Sequence, residues 1–398
     1  MKKIDLIILA GGKGQRIKKY TKFVPKPLIK IKHKPFLKYL LNYYSKYNFN
    51  KILLLCGYKG NKIKKIYHKK NINLIPIECI IEKRRLGTGG ALYQIKNKLK
   101  NDFLLINGDS FLEFDFKKFL GKKFQNNSLG KMILVNRKSY KTNNKLSSLK
   151  LDYKKNLIKF NGDYMNAGIY FFKKKILKKI LKTNYSLEND ILPKLILKKK
   201  IEGILSKGFF IDIGTYKNLK IAKKQLYKIT KSSAAFLDRD GVINHDTGYV
   251  HQIKDFKVKK NVFAAIRYLN KKKINVFIVT NQAGIGKGYF TEKEFINFQT
   301  QVKKLLTKNK CYINDLRYSP FHPEAKIKKY RKSTKLRKPG NLMIKNLKNN
   351  WNIDLSKSFM IGDKETDKIA AQSSKIYFEY DQNNLLKQVK KICKKLGI

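Results

Sequence analysis

Two carboxylates one residue apart, Asp238 and Asp240, end the apolar run Ala234-Ala235-Phe236-Leu237, and Gly241 follows at once. In an extended backbone residues i and i+2 face the same side, so both acids leave the strand end together. Held that close they repel unless a cation or a shared proton lies between them. Gly241 permits a tight turn that brings backbone N–H groups near an anion. An ordinary strand ending in an Asp-Gly turn uses the same residues, so the weight falls on what lies downstream. There, other strand ends supply Thr280-Asn281-Gln282, Lys338-Pro339-Gly340 and Gly362-Asp363-Lys364-Glu365-Thr366-Asp367. A carboxylate nucleophile, a second carboxylate for proton transfer, a hydroxyl, an ammonium and further acids to hold Mg²⁺ form the inventory of phosphate monoester hydrolysis.

A different chemistry is suggested nearer the start. Leu6 to Ala10 reads as a buried strand, and Gly11-Gly12-Lys13-Gly14-Gln15-Arg16 follows directly. Three glycines in four positions let main-chain amides wrap a phosphate chain, with Lys13 and Arg16 adding positive charge. The spacing fits neither the dinucleotide fingerprint nor the P-loop. Leu86-Gly87-Thr88-Gly89-Gly90-Ala91, Asn107-Gly108-Asp109 and Ile211-Asp212-Ile213-Gly214 also stand at strand ends. A carboxylate directly after a buried strand is well placed to hold Mg²⁺, which makes Asp109 and Asp212 a candidate pair.

The elements that must position these groups alternate throughout. Strand patterns at Lys51–Cys56, Leu74–Glu82 and Asp102–Asn107 are separated by helix patterns at Phe36–Tyr47, Gly60–Lys69 and Gly89–Leu99. After a closing helix, Tyr216–Tyr227, the rhythm resumes with helices at Asn261–Lys272, Thr291–Thr307 and Asn341–Asn350 and strands at Ile274–Val279 and Phe359–Ile361. Thr291 and Glu294 have capping-box spacing. This βα order predicts mostly parallel sheets with ligands at the carboxyl ends of the strands. A chain of 398 residues predicts two domains, here 1–228 and 234–398, joined by a short polar linker at 229–233.

Composition narrows the setting. The formal charge of +64 would ordinarily raise nucleic acid as a partner. The lysines run along the whole length instead of forming one block, which reads as compositional bias over solvated faces; nucleic-acid binding is not expected. Cys56, Cys79, Cys311 and Cys393 are scattered, with no C-x-x-C pair, which suits a reducing cytoplasm. Met1 to Ala10 reads as a basic opening and a first strand rather than a signal peptide. No run approaches the ~20 apolar residues needed to cross a bilayer. A cytoplasmic protein without membrane association is expected.

The first half resembles the sugar-1-phosphate nucleotidyltransferases. The resemblance is carried by Leu9-Ala10-Gly11-Gly12-x-Gly14-x-Arg16, Pro25-Lys26-Pro27-Leu28, the Gly87 loop, Asn107-Gly108-Asp109, Asn166-Ala167-Gly168-Ile169-Tyr170 and Ile211-Asp212-Ile213-Gly214-Thr215. Gly57-Tyr58-Lys59-Gly60 and the residues around Asp109 are most similar to D-glycero-D-manno-heptose 1-phosphate guanylyltransferases. The resemblance implies that Gly11, Gly12, Gly14, Arg16 and Lys26 bind a triphosphate, GTP or another NTP. It places the base near Gly87, the sugar near Asn166 and Glu188, and Mg²⁺ on Asp109 and Asp212. A Phe-x-Glu-Lys segment usual in that family is missing; Ile158 to Asp163 stands in its place.

The second half resembles the haloacid dehalogenase (HAD) phosphatases, through Leu237-Asp238-x-Asp240-Gly241, Thr280, Lys338 and Gly362-Asp363. Asp246-Thr247-Gly248-Tyr249-Val250-His251, Thr280-Asn281-Gln282-Ala283-Gly284-Ile285, Arg337-Lys338-Pro339 and Lys364-x-x-Asp367 narrow it to the heptose 1,7-bisphosphate 7-phosphatases and the related histidinol phosphatases. The implied roles are Asp238 as nucleophile and Asp240 as acid and base. Thr280 and Lys338 would bind the phosphoryl group, and Asp363, Asp238 and the main-chain carbonyl of Asp240 would hold Mg²⁺. Substrate contacts would come from Asp246, Thr247, Gly248, Tyr249, Asn281, Gln282, Ala283, Arg337 and Lys364, in a compact domain with no large cap. Relatives carry a zinc loop whose aligned positions here are Ser319, Phe321, Thr334 and Leu336, so no zinc is expected and the Pro320 to Leu336 loop must be ordered by packing or left mobile.

The fold class that follows is α/β, two Rossmann-like three-layer domains, a nucleotidyltransferase (GT-A-like) fold followed by a HAD-like hydrolase. The implied function is a bifunctional enzyme that removes the 7-phosphate of a heptose 1,7-bisphosphate and transfers GMP from GTP to the resulting 1-phosphate. The alternative is a nucleotidyltransferase for another hexose 1-phosphate fused to a histidinol-phosphatase-like domain.

Overall fold

The computed structural model describes residues 4–398 apart from 48, 83, 85, 126, 138–144 and 181–184. Met1, Lys2 and Lys3 of the basic opening lie outside the described residues. The chain forms two compact units, Met1–Asn71 with Ile75–Leu226, and Ile72–Leu74 with Tyr227–Ile398.

The first unit is organised on the strand Asp5–Leu9, which lies parallel between Ile52–Cys56 and Phe103–Asn107. Ile7 faces Leu53 and Leu105 across it, and Ile75–Ile81 extends the parallel run beyond Ile52–Cys56. Strands covered on both faces have to be apolar at every position, as Ile52–Cys56 is, since neither face offers water to a polar side chain. Past Phe103–Asn107 the sheet changes character. Tyr164–Phe172 runs antiparallel both to Phe103–Asn107 and to Gly130–Asn136, so the expected mostly parallel sheet is mixed here. The segments from Leu149 to Phe172 are joined by tight polar turns, with Asn156 and Asn161 at positive φ, instead of by helices. A parallel neighbour needs a long crossover and a tight turn cannot supply one.

Two consequences matter for function. The register of Tyr164–Phe172 against Gly130–Asn136 shifts between Asn166 and Tyr170, a bulge that re-aims the side chains there. A short antiparallel pair, Ser110–Leu112 with Phe210–Asp212, sets Asp212 opposite Ser110 and so brings Asp212 beside Asp109.

The helix expected to close at Tyr227 runs from Tyr216 to Thr230 and takes up the first two positions of the expected linker 229–233. No glycine or proline interrupts Lys220 to Lys231, and nothing in that stretch stops a helix. Ser232 then pairs with Ile353, donating to Asn352 O at 3.1 Å and accepting from Asp354 N at 3.0 Å.

In the second unit five strands lie parallel in the order Asp315–Ser319, Asn275–Asn281, Ala234–Leu237, Phe359–Gly362, Tyr377–Tyr380. Alternate residues of Ala234–Leu237 enter different cores. Ala235 and Leu237 pack with Ile266, Phe295 and Val389, whereas Ala234 and Phe236 pack with Phe277, Met343 and Trp351. This is the period of two of a strand covered by helices on both faces. Thr291 caps the helix Glu292–Lys308 in the expected box with Glu294. Consecutive connections leave the central strand in opposite directions, so its carboxyl end, where Asp238 stands, is a crevice between loops.

All four cysteines are buried, and none of them is in a disulfide. Among the described residues no helix is long and apolar enough to cross a membrane.

Candidate active sites

Asp238 follows the central strand of the second unit directly, its amide held by Ile361 O at 3.0 Å. Its carboxylate accepts from Arg239 N at 2.7 Å and from Lys338 Nζ at 2.8 Å. Lys338 is almost wholly buried, and its ammonium also meets Asp367 Oδ1 at 2.5 Å and Val279 O at 3.0 Å. Asn281 fixes the Lys338 backbone by exchanging two hydrogen bonds with it, both 3.0 Å. Oxygens of Asp238, Asp363 and Asp367 all lie within 4.8 Å of one another.

Asp238 and Asp367 are buried on one ammonium, and the less buried Asp363 adds a third acid beside them, which leaves an excess of negative charge. Burial drives the Asp238 carboxyl up to about 7, Lys338 opposes the rise, and Asp367 and Asp240 add to it. Burial raises Asp363 as well. Lys338 goes the other way: burial alone would lower it, and Asp238 and Asp367 together hold it above its ordinary value. Asp363 Oδ1 is buried without a hydrogen-bond partner. Gly241 has φ +84°, and a Cβ there would run into the Asp363 carboxylate. The glycine therefore serves the turn and also makes room for an acid. An orphaned oxygen, an all-oxygen donor set and unneutralised charge fit a small divalent cation.

Asp240 does not join that group. Its carboxylate accepts from Arg239 at 2.7 Å, from Asn244 at 3.0 Å and from Gln282 Nε2 at 3.0 Å. Arg239 is fully buried, its guanidinium 5.2 Å from the Phe298 ring centre, and Gln282 also donates to Thr280 Oγ1 at 2.9 Å. Asp240 is thus aimed by a rigid frame of donors, and the Gln282 side chain belongs to the frame. A second brace lies behind the loop. Lys259 Nζ reaches Gly241 O at 2.7 Å, Asp381 Oδ2 at 2.6 Å and Asn383 Oδ1 at 2.9 Å, while Asp381 N donates to Gly362 O at 2.9 Å. One partly buried lysine ties together the loops that carry Asp238 and Asp363.

Of the remaining expected substrate residues, Asp246 to Tyr249 and Lys364 are exposed. Lys364 pairs with Asp246 at 3.3 Å, and Asp246 accepts from Gly248 N at 3.1 Å, closing the exposed turn that holds Thr247. Tyr249 is 43% exposed and its hydroxyl accepts from Lys287 at 2.9 Å. Ala283 opens the short helix Ala283–Lys287. Arg337 donates to Phe321 O at 3.4 Å. The Pro320 to Leu336 loop is ordered by packing: the Phe321 ring stands 5.9 Å from Tyr330, whose hydroxyl donates to Glu292 at 2.9 Å.

In the first unit Lys26 Nζ lies 2.5 Å from Asp109 Oδ2 and 3.7 Å from Asp212 Oδ1. Burial would raise Asp109, and the close ammonium instead holds it below the usual carboxylate range. Asp212, farther from Lys26 and next to Asp109, is pushed up by burial and by that neighbour. Gly214 donates to Asp212 Oδ1, and a Cβ at Gly214 would fall 3.0 Å from Lys26 Nζ and 3.1 Å from Arg16 Nη2. Two acids, an ammonium and a guanidinium therefore converge on one point. Arg16 and Asp212 also line a cavity of about 880 Å³, together with Asn107, Asn166, Gly168 and Glu188 among others.

The glycine loop meets the same region from the strand end. Gly14 has φ +64°, and Gly11 lies so close to Gly57 that a Cβ at either would press on the other's backbone. Gly87, at φ +69°, heads the helix Gly87–Gln94. Thr88 joins it to the cavity, donating to Glu188 Oε2 at 2.6 Å and accepting from Leu187 N at 2.8 Å. Asn166 donates to Tyr170 at 2.5 Å and accepts from Gly168 N at 2.9 Å, which locks its orientation in the bulge.

Sequence reasoning passed over Arg239, Asn244, Lys259 and Thr88, and it named Asp367 in the acidic cluster without giving it a role of its own. Asp367 lies in the first turn of the helix Glu365–Gln372, whose cap Lys364 follows Asp363 directly, and that sequence order brings the two acids to one strand end. The other four owe their places to long-range packing.

Residues 5–229 match the family model described as nucleotidyl transferase, and residues 234–389 match polynucleotide kinase 3 phosphatase. A D-glycero-beta-D-manno-heptose-1,7-bisphosphate 7-phosphatase of Photorhabdus laumondii is 41% identical over 143 residues, 36% of this chain and 76% of its own. A D-glycero-alpha-D-manno-heptose-1,7-bisphosphate 7-phosphatase of Burkholderia mallei is 38% identical over 143 residues, 34% of this chain and 72% of its own. A D-glycero-alpha-D-manno-heptose 1-phosphate guanylyltransferase of Aneurinibacillus thermoaerophilus is 31% identical over 228 residues, 56% of this chain and 98% of its own.

Proposed function

We infer the function of this chain from two memberships at once: it belongs to the nucleotidyl transferase family through residues 5–229, and to the heptose-bisphosphate phosphatases through its second half. It is a bifunctional enzyme of heptose activation. The second half hydrolyses the 7-phosphate of D-glycero-D-manno-heptose 1,7-bisphosphate, and the first half transfers GMP from GTP to the 1-phosphate, giving GDP-heptose and pyrophosphate. One observation carries the pairing: removal of one phosphate leaves the compound that the other half takes, and both halves stand on one chain. The guanylyltransferase relative takes the α anomer, and we assign that anomer here, since phosphatase relatives of both anomers match.

In the phosphatase half the Asp238 carboxylate attacks phosphorus and the bond to the sugar oxygen breaks. Asp240, aimed by Arg239, Asn244 and Gln282, gives its proton to that oxygen. It then takes a proton from the water that cleaves the phosphoaspartate. Lys338 and Thr280 hold the phosphoryl oxygens. Asp238, Asp363, Asp367 and the main-chain carbonyl of Asp240 would hold a Mg²⁺, which would supply neutralisation of charge on the transferring group. In the nucleotidyl half, Arg16, Lys26 and the Gly11–Gly14 amides bind the triphosphate, the base lies at Gly87 and the sugar between Asn166 and Glu188. The sugar phosphate oxygen attacks the α-phosphorus in line and pyrophosphate leaves. Asp109 and Asp212 are the acids for Mg²⁺ at this site. The retained Lys26–Asp109 pair supports that arrangement, because the ammonium is already poised beside both acids.

Mass spectrometry of products from heptose 1,7-bisphosphate, GTP and Mg²⁺ tests the scheme. Wild-type protein yields GDP-heptose, phosphate and pyrophosphate. Asp238→Asn leaves the bisphosphate uncleaved, and Asp109→Asn accumulates heptose 1-phosphate. Phosphate release surviving in Asp238→Asn removes the nucleophile assignment, and no nucleotide sugar from wild-type protein removes the scheme.

A further inference from the structure

Lys259 takes no part in the acid cluster of the phosphatase half, yet it is fastened to both loops that carry the acids. Its ammonium donates to Gly241 O at 2.7 Å, and its amide donates to Ile243 O at 3.0 Å. Gly241 N donates in turn to Asn244 O at 2.9 Å. Gly241 is therefore held at its N–H and at its C=O. A peptide unit is planar, so pinning the Gly241 N–H also fixes the direction of the Asp240 carbonyl in the same plane. That carbonyl is among the oxygens assigned above to Mg²⁺.

The other end of the brace holds the loop of Asp363. Asp381 follows the strand Tyr377–Tyr380, whose register sets Tyr380 beside Gly362, and Asp381 N donates to Gly362 O at 2.9 Å. Asp363 is the next residue along. The Asp381 carboxylate accepts from Lys259 Nζ at 2.6 Å and from Asn383 N at 3.1 Å, while Asn383 Oδ1 accepts from the same ammonium at 2.9 Å. Gly241 O, Asp381 Oδ2 and Asn383 Oδ1 thus match the three protons of the ammonium. The two side chains of the ion pair are 12% and 6% exposed, so salt screens it little. Asp381 also cancels the Lys259 charge, and the brace brings no net positive charge to a site for a cation. The braced loops touch, since a Cβ on Gly241 would run into the Asp363 carboxylate.

We propose that Lys259 and Asp381 are positioning residues for the divalent cation: they hold the Asp240–Gly241 loop and the Gly362–Asp363 loop at one separation, and this selects Mg²⁺ over the larger Ca²⁺. The inference rests on the reading that Asp238, Asp363, Asp367 and the Asp240 carbonyl are the ligands. Mg²⁺ demands near-ideal octahedral geometry with oxygens at about 2.0–2.1 Å, whereas Ca²⁺ takes them at about 2.3–2.6 Å and adapts to irregular sets. Ligands divided between two loops meet the stricter demand only while the loops keep their spacing. Loosening them costs the small ion its short bonds and leaves the larger ion nearly as well held.

Urea unfolding followed by the fluorescence of Trp351, buried in the second unit, measures the affinity of that unit for each ion when repeated across Mg²⁺ and Ca²⁺ concentrations. Wild-type protein is compared with Lys259→Met/Asp381→Asn, which removes the brace without stranding a charge, and with Lys259→Arg. The double variant binds Mg²⁺ about tenfold more weakly and Ca²⁺ less than about twofold more weakly, and Lys259→Arg keeps most of the Mg²⁺ affinity. Unchanged Mg²⁺ affinity in the double variant overturns the positioning role. An equal loss for both ions also overturns it, because a merely structural pair would loosen the unit without regard to ion size. Wild-type protein whose unfolding midpoint Mg²⁺ leaves unmoved, or moves equally in Asp363→Asn, overturns the reading of the metal site itself, and shows this before the brace is touched.

Discussion

The Asp238→Asn protein should be dead as a phosphatase and, without metal, more stable than the wild type. Burial and the neighbouring acids drive the Asp238 carboxyl from 3.8 to about 7. A raised folded-state pKa means that the folded protein binds more protons than the unfolded chain between those values. The associated stability is complete below about pH 4 and is lost as pH rises through about 7. At about 1.4 kcal/mol per pKa unit, holding the ionised carboxylate costs roughly 4 kcal/mol at pH 8. Asparagine removes the charge but cannot accept from both Arg239 N and Lys338 Nζ, which returns about 1–2 kcal/mol. A net gain of about 2–3 kcal/mol at pH 8 remains, shrinking to near zero at pH 5, where the wild-type acid is largely protonated. Urea unfolding in EDTA reads this directly, because Trp351, the chain's single tryptophan, is buried in the second unit with its indole N–H on Asp315 at 3.0 Å. Saturating Mg²⁺ reverses the order, since the ion binds the folded wild type and repays the repulsion. A variant less stable than wild type at pH 8 in EDTA, or a gap unchanged at pH 5, refutes the claim that the nucleophile is held under electrostatic strain.

Three further outcomes are expected. Gly241→Ala, at φ +84° and against the Asp363 carboxylate, lowers phosphate release from the bisphosphate about a hundredfold or more and leaves pyrophosphate release from supplied heptose 1-phosphate and GTP intact. Lys259→Met strands the buried Asp381 carboxylate and destabilises the second unit by about 3–5 kcal/mol in Trp351-monitored unfolding. Adding Asp381→Asn recovers more than half of that loss; no recovery would show that the pair is not the cause. Thr88→Val breaks the link between the Gly87 helix and Glu188, raising KM for the sugar phosphate about tenfold at about 1–2 kcal/mol, with KM for GTP little changed. A change confined to GTP would place Glu188 at the nucleotide instead.

Local signals in the chain were enough to find both strand-end acid motifs, the glycine loop and the helix cap at Thr291, because each is written within a few consecutive residues. Resemblance extended that to roles for Lys26, Thr280 and Lys338. Asp109 and Asp212 were a candidate pair because each follows a strand, but their actual approach depends on the short Ser110–Leu112 and Phe210–Asp212 strands meeting in one register. The same limit hid the frame of Arg239, Asn244 and Gln282 that turns Asp240 away from the cluster, and the lysine behind Gly241. Whether the sheet beyond Asn107 runs parallel or mixed was likewise decided by tight turns whose partners lie far along the chain. Backbone preference and hydrophobic period act over a few residues and are legible one at a time. Charge balance, hydrogen-bond saturation and strand register depend on which distant groups are pressed together, and only the folded chain fixes that.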